Sequence, residues 1–237
     1  SDYAMLESLY ENKKEGSSLC LFNVTMQNHS SYDDTDYTFE NPVKLTSMTL
    51  QPEAEQYLSL IKMSDDALKE LITYFEKVKE PVIIVLFGDH QPHLPDYFYK
   101  NVMGEMPDDL SQKDAMKRYQ VPFMIWANYD IQAAEIPQIS INYLSTLMTE
   151  TAGLKLTDYQ KFLLDMYQYI PSITANGFYD RQGNLYSWDD LDEADAELQE
   201  WIKEYRILQY NYLFDEEHRK DAHYQLKEKM IWGKKET

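Results

Sequence analysis

The residues best suited to chemistry are Phe87-Gly88-Asp89-His90-Gln91-Pro92-His93, which place a carboxylate and two imidazoles directly after the apolar run Val82-Ile83-Ile84-Val85-Leu86-Phe87. The run is β-branched and apolar throughout, so it reads as a buried strand. In open α/β sheets, ligands bind beyond the carboxyl ends of the strands. Successive strand residues face opposite sides, so Asp89 and His90 serve one ligand only where the chain has left strand geometry. Gly88 permits that departure. A carboxylate oxygen beside an imidazole nitrogen suits Zn²⁺ or Mn²⁺ better than Ca²⁺, which takes all-oxygen shells. The bland alternative is a capping Asp89 beside a surface His90. His93 is placed at the rim, as a substrate contact rather than a ligand.

A second motif, Val24-Thr25-Met26-Gln27-Asn28-His29-Ser30-Ser31-Tyr32, follows Leu19-Cys20-Leu21-Phe22-Asn23-Val24 in the same way. That run also reads as a short buried strand, with Cys20 as a core thiol. If the two strands are neighbours, His29 shares an edge with Asp89 and His90. There His29 contacts a phosphate or acts as acid or base. Alone, His29 reads as a solvent-exposed loop residue; two His-bearing loops at equivalent strand ends favour a shared site.

The elements that must position these loops alternate between helix and strand. Residues 2–13 form a short amphipathic helix, and 26–52 are a long polar loop. Residues 53–79 carry Tyr57, Leu58, Ile61, Leu68, Leu71, Ile72, Phe75 and Val78 at helical spacing, and Pro81 ends the helix. A helix between two buried strands is a βαβ crossover and implies a parallel sheet. Residues 121–127 are a third strand, with Pro122 at its start or on an edge. Helices over 140–151 and 157–168 are split by Gly153. Phe178 to Trp188 reads as a β-hairpin around Asp180-Arg181-Gln182-Gly183-Asn184, and 189–213 as an acidic, aromatic-rich helix. The charged end, Gly233 to Thr237, should fray. The expected fold class is α/β, a mostly parallel sheet flanked by helices with a C-terminal hairpin and helix.

Composition narrows the function classes. The chain has 237 residues, enough for one large domain or two small ones. Its net charge, 22 − 41 = −19, disfavours nucleic acid. One cysteine excludes an internal disulfide or a Cys-rich zinc cluster, and 7 glycines argue against a Gly-rich nucleotide loop. No apolar run has the ~18–20 residues of a membrane span, and no signal-peptide pattern is present; a piece of a longer protein fits equally. Asp33, Asp34 and Asp36 lack EF-hand spacing and read as a solvated loop. Trp126 and Trp188 read as packing residues. Asn23-Val24-Thr25 and Asn28-His29-Ser30 match the glycosylation pattern but are discounted. His218 and His223 read as surface residues.

Asn28-His29-Ser30-Ser31-Tyr32 after a strand, a long helix, then Phe87-Gly88-Asp89-His90 resembles the carboxyl-terminal half of the sulfatase-like catalytic domain of lipoteichoic acid synthases and related phosphoglycerol transferases, in the alkaline phosphatase superfamily. Val121-Pro122-Phe123 and the Gly177-Phe178-Tyr179-Asp180 to Tyr186 hairpin fit the same pattern. The resemblance covers residues 2–215, leaving 216–237 as a charged tail, and the Asp-His pair is its most specific part. It implies that Asp89 and His90 ligate one divalent cation, usually Mn²⁺, with Mg²⁺ or Zn²⁺ as alternatives. It implies that His29 contacts the substrate phosphate.

The resemblance further implies a phosphatidylglycerol-like donor and a glycerol-phosphate or glycan acceptor. It implies work at the extracytoplasmic face of a bacterial membrane, in a parent anchored by membrane helices. The family's nucleophilic Thr and metal-binding Glu lie in the half that precedes the matched part. Thr25, Thr35 and Thr46 lack the family context, and the Cys/Ser-x-Pro-x-Arg signature of true sulfatases is missing. The isolated chain is therefore expected to show little turnover and an incomplete metal site. The rival readings are a non-catalytic binding module on the same fold, and a phosphatase or phosphoethanolamine transferase.

Overall fold

The computed structural model describes residues 3–34, 38–39, 42–46 and 51–226. The chain divides into two compact units, Ser1–Tyr129 and Asp130–Thr237.

In the first unit, α1 (Ala4–Glu11) is followed by the long helix α2 (Pro52–Phe75). Pro52 stands at the start of α2 with Glu53 and Glu55 in its first turn, a combination that suits the free N–H groups and dipole there. Leu60, Ala67, Leu71 and Phe75 are its buried stripe. Tyr10 of α1 meets Phe75 edge-to-face at 5.5 Å. The helix stops at Phe75, short of the expected 79. Beyond it, Asn128 ties the descending chain: its amide donates to the carbonyls of Phe75, Val78 and Glu80, and its oxygen accepts from the Val82 N–H.

Next come β1 (Ile83–Phe87), α3 (Asp96–Met103), α4 (Gln112–Lys117) and β2 (Phe123–Ala127). Strand β1 pairs with β2 antiparallel, from Ile83↔Ala127 to Phe87↔Phe123. This corrects the parallel sheet expected from sequence. A helix between two apolar runs is a crossover only if both runs enter one ladder. Residues 19–24 form no ladder; apart from the half-buried Asn23 they are exposed, with Phe22 81% and Val24 66% accessible. Cys20 is likewise exposed rather than a core thiol. The run still passes beside β1, since the Phe22 and Phe87 rings lie 6.5 Å apart. Pro122 immediately precedes β2, where its missing N–H costs no ladder bond.

A small core holds the two candidate loops together. Tyr32 from the first loop packs with Leu94 from the second and with Tyr99 of α3, over Ala54 and Leu60 of α2.

The second unit contains α5 (Ile141–Thr151), α6 (Asp158–Tyr167), β3 (Ser172–Thr174), β4 (Gly177–Tyr179), β5 (Leu185–Ser187) and α7 (Ala196–Leu213). Gly153, at φ +68°, breaks α5 from α6, and a Thr157–Gln160 capping box starts α6. The expected hairpin is present, extended by β3 into an antiparallel sheet of three. The Asp180 carboxylate shapes the turn by accepting from the N–H groups of Gln182 and Asn184. Tyr143, Leu163, Met166, Ile170, Phe178 and Ile202 are the centre of this unit's core. Trp188 packs against it and donates to the Thr174 carbonyl, as a packing residue should.

The described part of the charged end is anchored, because Tyr224 stacks near Tyr212 and donates to the Leu208 carbonyl. Thr35, Asp36, Asn41 and the stretch 233–237, which was expected to fray, lie outside the described residues. Among the described residues, no helix is long and apolar enough to cross a membrane.

Candidate functional site

Strand β1 delivers its carboxyl end into an irregular loop, 88–95, which runs to α3. The Gly88 N–H donates to the Pro122 carbonyl, so the antiparallel pairing is held one residue beyond the strand. A Cβ on Gly88 would meet the Val121 side chain at 2.9 Å. Close approach of the two chains, and not a left-handed backbone, is thus what calls for glycine here.

Beyond Gly88 the loop is pinned from three directions. The Gln91 side chain donates to the carbonyls of Lys117 and Gln120, at 3.1 and 2.9 Å. The buried Tyr99 hydroxyl donates to the Pro92 carbonyl. Leu94 is sunk in the core. Replacing Tyr99 with phenylalanine should remove one of the two hydrogen bonds that the Pro92 carbonyl accepts, the Leu94 N–H keeping the other, and lower stability by about 0.5–1.5 kcal/mol. It should also speed amide exchange across 90–94; unchanged exchange would mean that Gln91 alone sets the loop.

On this frame Asp89 and His90 come together. The Asp89 Oδ1 atom accepts from the His90 N–H at 2.8 Å. The His90 Nδ1 atom lies 2.8 Å from the Gln91 carbonyl. A carbonyl only accepts, so Nδ1 carries a proton, and in the neutral ring Nε2 holds the lone pair. That Nε2 stands 3.6 Å from Asp89 Oδ2. Metal–ligand bonds of ~2.0–2.2 Å place neighbouring donor atoms ~3–3.6 Å apart, so this pair fits one edge of a coordination shell. The backbone acceptor on Nδ1 is also the usual orienting partner of a ligating histidine. Both side chains are largely exposed, at 69% for His90 and 76% for Asp89. Among the described residues, no group of three or more His, Cys, Asp or Glu side chains could hold a metal ion. The residues present therefore fit a cation as two of its ligands, not as a complete shell.

The first loop repeats the arrangement. The His29 Nδ1 atom lies 2.8 Å from the Ser30 carbonyl, which again protonates Nδ1 and leaves Nε2 free. Helix α2 positions this loop through Ser64, whose hydroxyl donates to Asn28 Oδ1 and accepts from the amides of Asn28 and Gln27. The Tyr32 hydroxyl donates to the Asn28 carbonyl at 2.8 Å. Burial, with Tyr57 and Tyr99 nearby, pushes the Tyr32 phenol up to about 12, so it stays a donor at neutral pH.

His93 does not join Asp89 and His90 in a metal-binding group. Instead it borders a cavity with Ser30, Ser31 and Asp33 of the first loop. The two loops are therefore adjacent. Sequence reasoning singled out neither Ser64 nor Tyr99. Ser64 did leave a signal: it interrupts the apolar stripe between Ile61 and Leu68, and a polar residue on a buried face needs a partner.

The family pattern described as Sulfatase matches residues 1–154. A Rhizobium meliloti (strain 1021) protein named for cyclic beta-1,2-glucan modification is 28% identical over 202 residues, which cover 81% of this chain and 30% of that protein. Among solved structures, the Streptococcus pyogenes phosphoglycerol transferase GacH, in complex with sn-glycerol-1-phosphate, is similar with a TM-score of 0.63 at 17% identity. That match covers 89% of this chain and 48% of GacH, so the chain spans less than half the length of either relative. At 17% identity the likeness to GacH speaks for the fold alone. The chain belongs to the sulfatase family, with a fold related to that of GacH and in keeping with the alkaline phosphatase superfamily.

Proposed function

We propose that this chain carries part of the active site of a phosphoglycerol transferase that works at the extracytoplasmic face of a bacterial membrane and takes a glycan hydroxyl as acceptor. The observation that carries the reading is the Asp89 Oδ2–His90 Nε2 pair, 3.6 Å apart at the end of β1 and oriented by backbone contacts. These two atoms would hold a divalent cation, Mn²⁺ by family resemblance. Such a cation lowers the pKa of an attacking hydroxyl and neutralises charge on the transferring phosphoryl group. The sn-glycerol-1-phosphate bound by GacH supports the donor class, and the glucan in the Rhizobium protein's name supports the acceptor class.

The P–O bond to diacylglycerol breaks as a P–O bond to the nucleophile forms, and diacylglycerol leaves with a proton. The acceptor hydroxyl then displaces the nucleophile and gives up its proton. His29, with Nε2 free, contacts the phosphate or moves one of these protons. By family resemblance the nucleophile is a threonine and a glutamate completes the metal shell.

The test has two parts. The isolated chain, titrated with Mn²⁺ and followed by electron paramagnetic resonance, should bind weakly, with a Kd near 1 mM (about 4 kcal/mol). Tight binding that survives Asp89→Ala would refute the ligand assignment. The complete gene product should release diacylglycerol from phosphatidylglycerol vesicles when Mn²⁺ and a glucan are supplied. No release under those conditions would refute the transferase reading.

A further inference from the structure

A cavity of about 270 Å³ lies where the two site loops meet the start of α2. Its walls include the Tyr32 side and Pro95, and its polar groups come from Ser30, Ser31, Asp33, Glu53 and His93. The volume falls below the ~300 Å³ at which sites for drug-sized ligands begin. It suits one sugar ring or one glycerol unit, not a lipid chain.

The chemistry of the lining is specific. Among the described residues, the Asp33 carboxylate, the His93 ring and the Ser30 and Ser31 hydroxyls have no hydrogen-bond or ion-pair partner within the protein. Glu53 is held through one oxygen only: the Tyr97 hydroxyl donates to its Oε2 at 3.0 Å, leaving Oε1 for a ligand. Carboxylates accept from hydroxyl groups, while a neutral imidazole and serine hydroxyls both donate and accept. Among the described residues no lysine or arginine lines the space, and two carboxylates do, so a phosphate or carboxylate group is repelled. Asp33, Glu53 and His93 do not form a metal-binding group.

The cavity also abuts the reactive groups. The Ser30 carbonyl is the one that orients the His29 ring, and His93 follows His90 by three residues in the pinned loop. We propose that this cavity is a binding site for an uncharged polyol, and that it seats the hydroxyl-bearing unit of the acceptor, a sugar ring or a glycerol, beside His29. The acceptor role rests on the transferase reading above; the polyol chemistry rests on the cavity alone.

The experiment is a ¹H–¹⁵N NMR titration of the full chain, without metal or lipid. Methyl β-D-glucoside, glycerol and sn-glycerol-1-phosphate are the separate probes. A neutral polyol should shift the amides of 30–33, 53 and 93 with a Kd near 1–10 mM, about 3–4 kcal/mol. Asp33→Asn with Glu53→Gln should weaken that binding about tenfold, whereas Asp66→Asn, far along α2, should not. Both substitutions in the cavity are near-isosteric changes at accessible side chains, so the fold should survive them.

A stronger response to the glucoside assigns a sugar acceptor, and a stronger response to glycerol assigns a glycerol-terminated one. No response to either, a preference for the phosphate ester, or binding unaffected by the paired substitution overturns the proposal. Polyol binding in a protein that releases no diacylglycerol would leave the cavity assigned and the transferase reading refuted. Transfer without polyol binding would do the reverse.

Discussion

Replacing Asp89 with alanine in the complete gene product should reduce phosphoglycerol transfer by about 10²–10³-fold, the scale seen when one electrostatic contributor to the transition state is removed. The loss should be nearly pure chemistry. The Asp89 side chain is 76% exposed, so its removal opens no core cavity. The hydrogen bond it accepts from the His90 N–H is a surface contact whose loss costs about 0.5–1 kcal/mol. Asp89→Asn keeps an oxygen for that N–H but removes the charge, so it should retain the loop and still lose most of the turnover. His90→Ala removes a neutral donor and should be partly rescued by excess Mn²⁺, which Asp89→Ala should not. The readout is turnover beside the thermal midpoint. An Asp89→Ala protein that keeps more than about a tenth of wild-type turnover, a deficit under 1.4 kcal/mol, would place the chemistry elsewhere.

The largest effect on stability is expected at Gly177. Its φ is +150°, and a Cβ there would fall on the carbonyl oxygen of Tyr186 and within 3.1 Å of Ser187 Cα. Both belong to β5, and Gly177 pairs directly with Ser187 in the β4–β5 ladder. Neither atom can yield without breaking that pairing. The next residue, Phe178, is fully buried at the centre of the second unit's core. Gly177→Ala should therefore cost more than about 3 kcal/mol, from backbone strain and lost packing together. Gly183, in the hairpin turn at φ +82°, is the control: nothing lies within 4 Å of its would-be Cβ. Gly183→Ala should cost only about 1 kcal/mol, from the backbone conformation alone. Urea denaturation of the two variants, with amide exchange in β3–β5, compares them. Equal midpoints would mean that the ladder can open at Tyr186 without loss.

Much of the molecule was legible from local pattern. Helices α2, α5 and α6 and the hairpin after Gly177 follow from periodicity, Gly153 and turn residues, because those forces act within a few positions along the chain. The placing of Asp89 and His90 just past an apolar strand was legible for the same reason. Ladder direction was not. The run 82–87 is equally apolar whether its neighbour arrives parallel from 19–24 or antiparallel from 123–127, and pairing choice is a long-range matter. The same gap explains Cys20 and Phe22. An apolar run announces that burial is favourable, but only a partner decides whether it happens, and here both residues remain exposed.

The amino-acid sequence by itself determined the residue types of the site, their order after β1, the rigid helix that carries Ser64, and the family. Tertiary structure alone decided three things. It turned the His90 ring so that Nε2 faces Asp89 Oδ2, since a histidine's tautomer depends on which carbonyl its other nitrogen meets. It packed Tyr32 against Leu94 and Tyr99, bringing two loops more than fifty residues apart onto one small core. And it sent His93 away from Asp89 and His90 into a cavity with Asp33 and Glu53, because the Tyr99 hydroxyl holds the chain at Pro92 and the buried Leu94 fixes where the next turn begins.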